Sequence, residues 1–162
     1  MPEKIPVTKI KSETNKTVSV SANLSEGKNM TDLSWAWNSS VACFPETQKE
    51  KFTGNHVLFE TEIPKYSIME IELIPDNKNT DMSLYAYEIG LKSDAYVPNL
   101  PSCVSCEADH KWDYEKRGKT QDHRRFVNLN AINNPYKVVI GVAGANGLDK
   151  GGFTLKISLK NR

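Results

Sequence analysis

The segment that decides the fold consists of NPYKVVIGVAG (residues 134–144) and GGFTLKISLK (residues 151–160). In the first part Tyr, Val, Ile and Val occupy every second position from Tyr136, and in the second part apolar residues alternate with Thr, Lys and Ser from Phe153. A period of two is typical of a strand that buries one face. The first part is apolar on both faces, which predicts a central strand, whereas the second predicts a strand covered on one side. Glycines lie between the two parts, so we expect a C-terminal β-hairpin.

The rest of the chain predicts more strands and no long helix. Strand-like runs occupy residues 18–24, 57–63, 66–74, 82–89 and 125–132. Residues 31–45 fit either a strand or a short helical turn, and residues 46–54 are charged and resemble a loop. We therefore expect an all-β fold, an antiparallel jelly-roll-type β-sandwich of about eight strands. Residues 1–16 form a polar N-terminal arm or short edge strand, and residues 17–162 form a single sandwich domain.

Composition excludes some classes of partner. The 162 residues include 21 basic and 20 acidic side chains, for a formal net charge of +1. This balance gives no electrostatic reason to expect binding to nucleic acid or to an anionic membrane. No apolar run approaches the ~20 residues of a membrane span. Residues 1–6 are polar and show no signal-peptide core.

One long irregular loop carries the residues most typical of function. Residues 90–122 have no clean periodicity, and loops of this length are uncommon in compact domains and often functional. We expect the variable surface of the domain to be Leu91–Asp122.

The three cysteines allow a disulfide, buried thiols or a metal site. Cys103 and Cys106 form a C-x-x-C motif, and Cys43 is distant in sequence. We expect one disulfide, from Cys43 to either Cys103 or Cys106. A Cys43–Cys103 bridge would close a loop of about sixty residues, and such a loop corresponds to ~4 kcal/mol in the chain-entropy model. The alternative is a zinc-stabilised domain, in which Cys43, Cys103, Cys106 and His110 would form a Cys₃His site.

A polar turn is a candidate calcium site. Four oxygen-bearing side chains occur within six residues: Asp76, Asn77, Asn79 and Asp81. Hard cations prefer clustered oxygen ligands, although turns rich in Asp and Asn also form without a metal. The complete spacing of an EF-hand loop is absent.

Aromatic and cationic residues of the irregular loop are candidates for ligand binding. Tryptophan and tyrosine give a large contact area at low entropy cost, and they stack on sugars or hold peptides. The candidate ligand-binding residues are Trp112, Tyr114, Tyr96, Arg124 and Arg125. A weaker alternative is a hydrolase. Its nucleophile would be Ser102 or Cys106, with His110 or His123 and Asp109 or Asp122, but no nucleophile-elbow motif supports it.

Three short motifs resemble one bacterial family. They are Asp81–Tyr85 (DMSLY), Tyr136–Gly141 (YKVVIG) and Gly152–Leu155 (GFTL), and the similarity spans roughly residues 55–160. In these motifs the chain resembles the pre-peptidase C-terminal domains, jelly-roll sandwiches appended to secreted proteases, whose relatives include the collagen-binding domains of collagenases. Ser83 stands where that family has a second acidic residue.

The resemblance implies a secreted, non-catalytic module that aids folding, secretion or attachment to a polymer. We therefore expect a binding or accessory module that is secreted, periplasmic or on the cell surface. Its partner would be an extracellular protein or glycan, or a host polypeptide. Calcium and zinc are the only cofactors that the residues suggest.

Overall fold

A computed structural model of the chain describes residues 7–30, 32–37, 41–94, 96–97, 100, 102–111, 114, 117–119, 122 and 124–161. The described residues form ten strands: β1 Val7–Lys9, β2 Lys16–Asn23, β3 Lys28–Asn29, β4 Asn55–Ile63, β5 Ser67–Pro75, β6 Met82–Ile89, β7 Ser105–Asp109, β8 Arg125–Ala131, β9 Tyr136–Gly144 and β10 Gly152–Asn161. Short 3-10 helices cover Leu24–Glu26, Ser34–Trp37 and Glu46–Phe52.

The strands form two sheets, which confirms the predicted all-β sandwich. The central sheet has the order β1-β4-β9-β6-β7, and β3 also pairs with β4. The outer sheet has the order β2-β10-β5-β8. Only β1 runs parallel to its neighbour among the paired strands of the described chain. A jelly-roll connection of these strands stays a prediction.

The predicted C-terminal hairpin is wrong. β9 lies between β4 and β6 in the central sheet, whereas β10 lies between β2 and β5 in the outer sheet. The two strands therefore lie in different sheets and share no ladder of hydrogen bonds. Their predicted burial is confirmed, because β9 is buried on both faces for most of its length and β10 on one.

Two hydrophobic cores lie on opposite faces of the central sheet. The inner core fills the space between the sheets, with Phe59, Val138 and Ile140 facing Ile71, Leu155 and other residues of the outer sheet. The outer core lies on the other face and is rich in aromatic rings. It packs Leu58, Tyr85, Tyr87 and Val139 against the segment that contains Trp35, Phe44 and Phe52. The central sheet is thus covered on both sides, which explains why β4, β6 and β9 are buried along most of their length.

Two irregular segments contain more structure than the sequence predicted. Residues 46–52, which resemble a loop in sequence, form a 3-10 helix whose last residue, Phe52, is fully buried. The loop Leu91–Asp122 contains the edge strand β7, which pairs with β6. At the opposite edge, the predicted N-terminal arm supplies β1, which pairs with β4.

Candidate functional site

The predicted disulfide is present and joins Cys43 to Cys106. The two Cα atoms are 5.1 Å apart, and 63 positions separate the residues in sequence. Cys106 belongs to β7, opposite Tyr87 of β6. Cys103, the other candidate, lies outside this bond and is half-buried. The disulfide therefore fastens the edge strand β7 to the segment that covers the central sheet.

The residues present do not fit the alternative zinc site. Cys43 and Cys106 share their sulfur atoms in a covalent bond, so neither is a thiolate that could bind zinc. His110 donates from Nδ1 to the carbonyl oxygen of Lys111 at 2.9 Å. Within the described ranges, no group of three or more His, Cys, Asp or Glu side chains could hold a metal ion.

The candidate calcium turn is held by contacts within the protein. The Asn77 side-chain oxygen accepts a hydrogen bond from the backbone of Asn79 at 2.9 Å, which is an Asx turn. The Asp81 carboxylate lies 3.1 Å from the guanidinium of Arg125. Ser83, at the position that is acidic in the resembling family, is buried and donates to the carbonyl oxygen of Lys51. Two of the four proposed oxygen ligands are therefore engaged, and calcium binding here stays a prediction.

Arg125 is a structural residue, which corrects its prediction as a ligand-binding residue. Its side chain is 2% exposed and donates to the carbonyl oxygens of Met82 and Asp122 as well as to Asp81. The neighbouring Arg124 is exposed and pairs with Asp122 and, at 3.7 Å, with Glu72. An arginine at the first position of a strand reads the same in sequence whether it is buried or solvated.

The other proposed ligand-binding residues lie in separate contacts. The Tyr96 hydroxyl donates to Glu60 at 2.6 Å, and Lys137 lies 3.2 Å from the same carboxylate oxygen. This hydrogen bond to Glu60 raises the pKa of Tyr96 to about 12. Tyr114 is 86% exposed. Trp112 and the hydrolase candidate His123 lie outside the described residues.

Three of the remaining hydrolase candidates are engaged in other contacts. Cys106 is in the disulfide and has no free thiol to act as a nucleophile. Asp109 accepts the backbone N–H of Phe126, and Asp122 accepts that of Arg124. These acids hold the backbone around β8, which is a structural role.

A cleft between two sheet edges is a candidate binding site. β7 is the last strand of the central sheet, and β8 is the last strand of the outer sheet. The strands meet at one end, where the backbone N–H of Phe126 donates to Asp109 at 2.9 Å. Toward the other end they enclose a cavity of about 410 Å³. Its lining residues are Glu88, Val104, Ser105, Glu107, Asn128, Leu129, Asn130, Ile132, Asn133, Asn134 and Tyr136.

Glu88 gives the cleft its chemical character. The residue is 2% exposed and lies on the face of β6 that also carries Leu84 and Ala86. Its Oε1 accepts a hydrogen bond from the Ser105 hydroxyl at 3.0 Å, and the backbone N–H of Asn130 in β8 also donates to the carboxylate. Burial raises the pKa of Glu88, and the hydrogen bonds from Ser105 and from the backbone of Asn130 offset part of that effect. The Glu88 carboxylate therefore contacts both walls of the cleft, through Ser105 of β7 and Asn130 of β8.

Sequence reasoning missed this cleft. Glu88 follows Tyr87 in an alternating strand, so it resembles an ordinary solvent-facing residue. The available signal was that Glu88 is the single charged residue of MSLYAYEI. A carboxylate in a strand that is covered on both faces is costly unless it is hydrogen-bonded or paired with a charge. The wall formed by β7 could not be predicted, because β7 lies in the irregular loop and its sequence has no strand-like pattern.

This chain is weakly similar to several solved structures. The sequence matches neither a protein-family model nor a curated protein. A similar solved structure is the pre-peptidase C-terminal domain of collagenase from Bacillus anthracis. It has a TM-score of 0.44 and 12% identity over 99% of this chain and 100% of that one. This domain is of the family that the sequence resembles.

Two further structures are similar. Aeromonas hydrophila PliG, a periplasmic inhibitor of g-type lysozyme, has a TM-score of 0.44 and 8% identity over 94% of this chain and 96% of its own. The VP2 subviral particle of infectious bursal disease virus has a TM-score of 0.39 and 11% identity over 91% of this chain and 34% of its own. In the described residues, no helix combines the length and apolar character needed to cross a membrane.

Proposed function

We propose that this protein is a non-catalytic binding module, and that its binding surface is the cleft between β7 and β8, called here the edge cleft. The observation that carries the proposal is a cavity of about 410 Å³ whose lining includes four asparagines and the buried carboxylate of Glu88. Ligand sites in proteins are concave, have volumes of this order and carry a few polar groups that orient the ligand.

The lining of the edge cleft favours binding over catalysis. The one hydroxyl nucleophile beside Glu88, Ser105, donates its proton to that carboxylate. None of the described lining residues is a histidine, cysteine or lysine that could serve as a base or a covalent nucleophile. The other polar side chains are mainly amides, which donate and accept hydrogen bonds without exchanging protons.

The disulfide supports an extracytoplasmic location. Disulfides such as Cys43–Cys106 persist in oxidising compartments, which include the periplasm, the cell surface and the extracellular space. The same bond fixes β7, one wall of the edge cleft. We infer that the module attaches a secreted or surface protein to an extracellular polymer, either a polypeptide or a glycan.

A binding screen tests this proposal. The oxidised protein is applied to peptide, glycan and extracellular-matrix protein arrays, beside a variant whose cleft is filled, Asn128→Trp. A matched control is Ser19→Trp, an exposed position of β2 at the opposite edge of the outer sheet. We expect a ligand whose binding is lost in Asn128→Trp and retained in Ser19→Trp. Ligands that bind all three proteins equally, or a complete absence of binding, would overturn the proposal.

A further inference from the structure

We propose that the edge cleft binds a neutral glycan, and that the side-chain amides of Asn128, Asn133 and Asn134 bond to its hydroxyl groups. This inference names the ligand class and rests on the proposed binding function. It draws on the amides of the cleft, on the β8 wall, which is closed to strand addition, and on the charge and the apolar groups of the lining.

The first feature is a set of amides that are available to a ligand. The lining includes four exposed asparagines: Asn128, Asn130, Asn133 and Asn134. Within the described part of the chain, the side chains of Asn128, Asn133 and Asn134 have no hydrogen-bond partner. Each amide offers two donor hydrogens and an acceptor oxygen. A sugar hydroxyl is also both a donor and an acceptor, so one amide can bond to two neighbouring hydroxyl groups.

The second feature is the state of the β8 wall. Polypeptides bind to sheet edges by adding a strand, which requires backbone N–H and C=O groups without partners. The backbone N–H groups of Phe126 and Asn130 already donate to the carboxylates of Asp109 and Glu88. A peptide strand would have to displace these bonds, whereas a glycan that bonds to side chains leaves them in place.

The third feature is the charge of the lining. Glu88 and Glu107 are carboxylates, and none of the lining residues in the described chain is a lysine, an arginine or a histidine. Like charges repel, so this lining disfavours phosphorylated, sulfated and uronic-acid glycans. A neutral glycan meets no such repulsion, and the exposed carboxylate of Glu107 can accept hydrogen bonds from its hydroxyl groups.

The apolar part of the lining fits the ring faces of a sugar. Val104 is 57% exposed, Ile132 is 51% exposed, and Tyr136 is half-buried. Sugar rings carry C–H groups on their faces, which pack against aliphatic and aromatic side chains, and hydroxyl groups around their edges. The cleft therefore combines amides for the ring edge with apolar groups for the ring face, in a volume of about 410 Å³.

An array of neutral and acidic oligosaccharides tests the inference, with a peptide array beside it. We expect the wild-type protein to select neutral oligosaccharides. Isothermal titration calorimetry then measures the affinity of the selected oligosaccharide for the wild-type protein, Asn128→Leu and Asn133→Leu. Each substitution keeps the approximate size of the side chain and removes the amide, so binding should weaken about fivefold or more, the equivalent of one hydrogen bond. Asn79→Leu changes an exposed asparagine between β5 and β6, outside the cleft, and should leave the affinity unchanged.

Monodeoxy versions of the selected oligosaccharide identify the hydroxyl group that bonds to Asn128. We expect one version that binds to the wild-type protein more weakly than the parent does, but binds to Asn128→Leu as well as the parent does, because the same bond is already lost. Uniform weakening of all these ligands by Asn128→Leu would overturn direct recognition by this amide.

The outcomes separate this inference from the proposed function. Selection of acidic glycans, or equal affinity of the wild-type protein for the parent and all its monodeoxy versions, would overturn the inference even if the asparagine variants failed to fold. A peptide ligand whose binding Asn128→Trp abolishes, with no glycan bound, would overturn the glycan class and leave the binding module intact. Failure of every ligand class would overturn both.

Discussion

Gly141 illustrates how one residue of the deciding segment serves the outer core. It lies directly opposite Tyr85 in the β6–β9 ladder, and a Cβ atom at this position would overlap the tyrosine ring. The ring therefore lies across the glycine, fully buried, with Trp35 at 5.6 Å and Phe52 at 6.1 Å between ring centres. The glycine is needed for space, because its φ is not in the left-handed region.

We predict that Gly141→Ala lowers the free energy of unfolding by about 1–3 kcal/mol, because the added methyl group forces Tyr85 out of its packed position. Urea denaturation followed by circular dichroism measures the change. Gly90→Ala is the matched control, since a Cβ atom there would meet nothing within 4 Å. Equal stability of the two variants would show that the aromatic packing tolerates displacement.

His56 makes stability depend on pH. It is fully buried, and its Nε2 donates to the Phe52 carbonyl oxygen at 2.8 Å while its Nδ1 accepts from the Tyr85 hydroxyl at 2.9 Å. Burial lowers its pKa from 6.5 to about 4. Between these pH values the unfolded chain binds a proton that the folded protein does not. The stabilisation is complete above pH 6.5 and is lost as the pH falls toward 4, by on the order of 3 kcal/mol.

The measurement compares urea denaturation of the wild-type protein and His56→Gln at pH 7 and pH 4.5. We predict that the wild-type protein loses more stability than His56→Gln over this interval. His110→Gln, which leaves His56 in place, should keep the wild-type dependence. The same loss in wild type and His56→Gln would mean that other groups set the acid sensitivity.

At the scale of elements, the sequence predicted the faces of strands better than their partners. The alternation from Tyr136 and from Phe153 gave the correct burial of β9 and β10. It did not reveal that the two strands belong to different sheets, because a two-residue period describes one strand and says nothing about which other strand it bonds. The short, glycine-containing connection fits a hairpin and a crossing between sheets equally well.

β7 shows why an element can be invisible in sequence. The residues Ser105–Asp109 contain no alternating apolar pattern, and they form a strand through backbone pairing with β6 and through the bond from Cys106. Cysteine spacing limited the disulfide to two partners, but the choice between Cys103 and Cys106 depends on which residue β7 turns toward Cys43. The edge cleft could not be predicted for the same reason, because β7 is one of its walls.

We predict that the double variant Cys43→Ala/Cys106→Ala loses about 4 kcal/mol of stability, the value of the chain-entropy model for a loop of this length. Amide hydrogen exchange should accelerate in β7 and remain slow in β10, which the disulfide does not touch. Cys103→Ala is the control and should leave the exchange of β7 unchanged. Unchanged protection of β7 in the double variant would mean that its pairing with β6 is sufficient to hold it.

At the scale of the molecule, the second core is the part that periodicity could not predict. The residues that cover the outer face of the central sheet come from 3-10 helices and loops, which have no strand or helix period to recognise. Trp35 stacks edge-on against Phe44, and Phe44 lies flat on Phe52 at 3.7 Å. Aromatic residues such as Tyr85 and Tyr87 therefore fill this core.

The two sheets of the molecule are joined by Arg125 as well as by apolar packing. Arg125 begins β8 in the outer sheet, and it donates to the carbonyl oxygen of Met82, which begins β6 in the central sheet, at 2.8 Å. Its bonds to Asp81 and to the Asp122 carbonyl complete the fork. The contact is desolvated, so an acceptor that loses its donor cannot be satisfied by water.

We predict that Arg125→Lys lowers the free energy of unfolding by about 2 kcal/mol or more, because one ammonium group cannot reach the three acceptors that the planar guanidinium bonds at once. Arg124→Lys is a control at the adjacent position. Its guanidinium is exposed, so the loss should stay within about 0.5 kcal/mol. Urea denaturation of the three proteins at pH 7 measures both changes. Similar values for the two substitutions would contradict the assignment of Arg125 as the polar link between the sheets, and apolar packing would then be what holds them together.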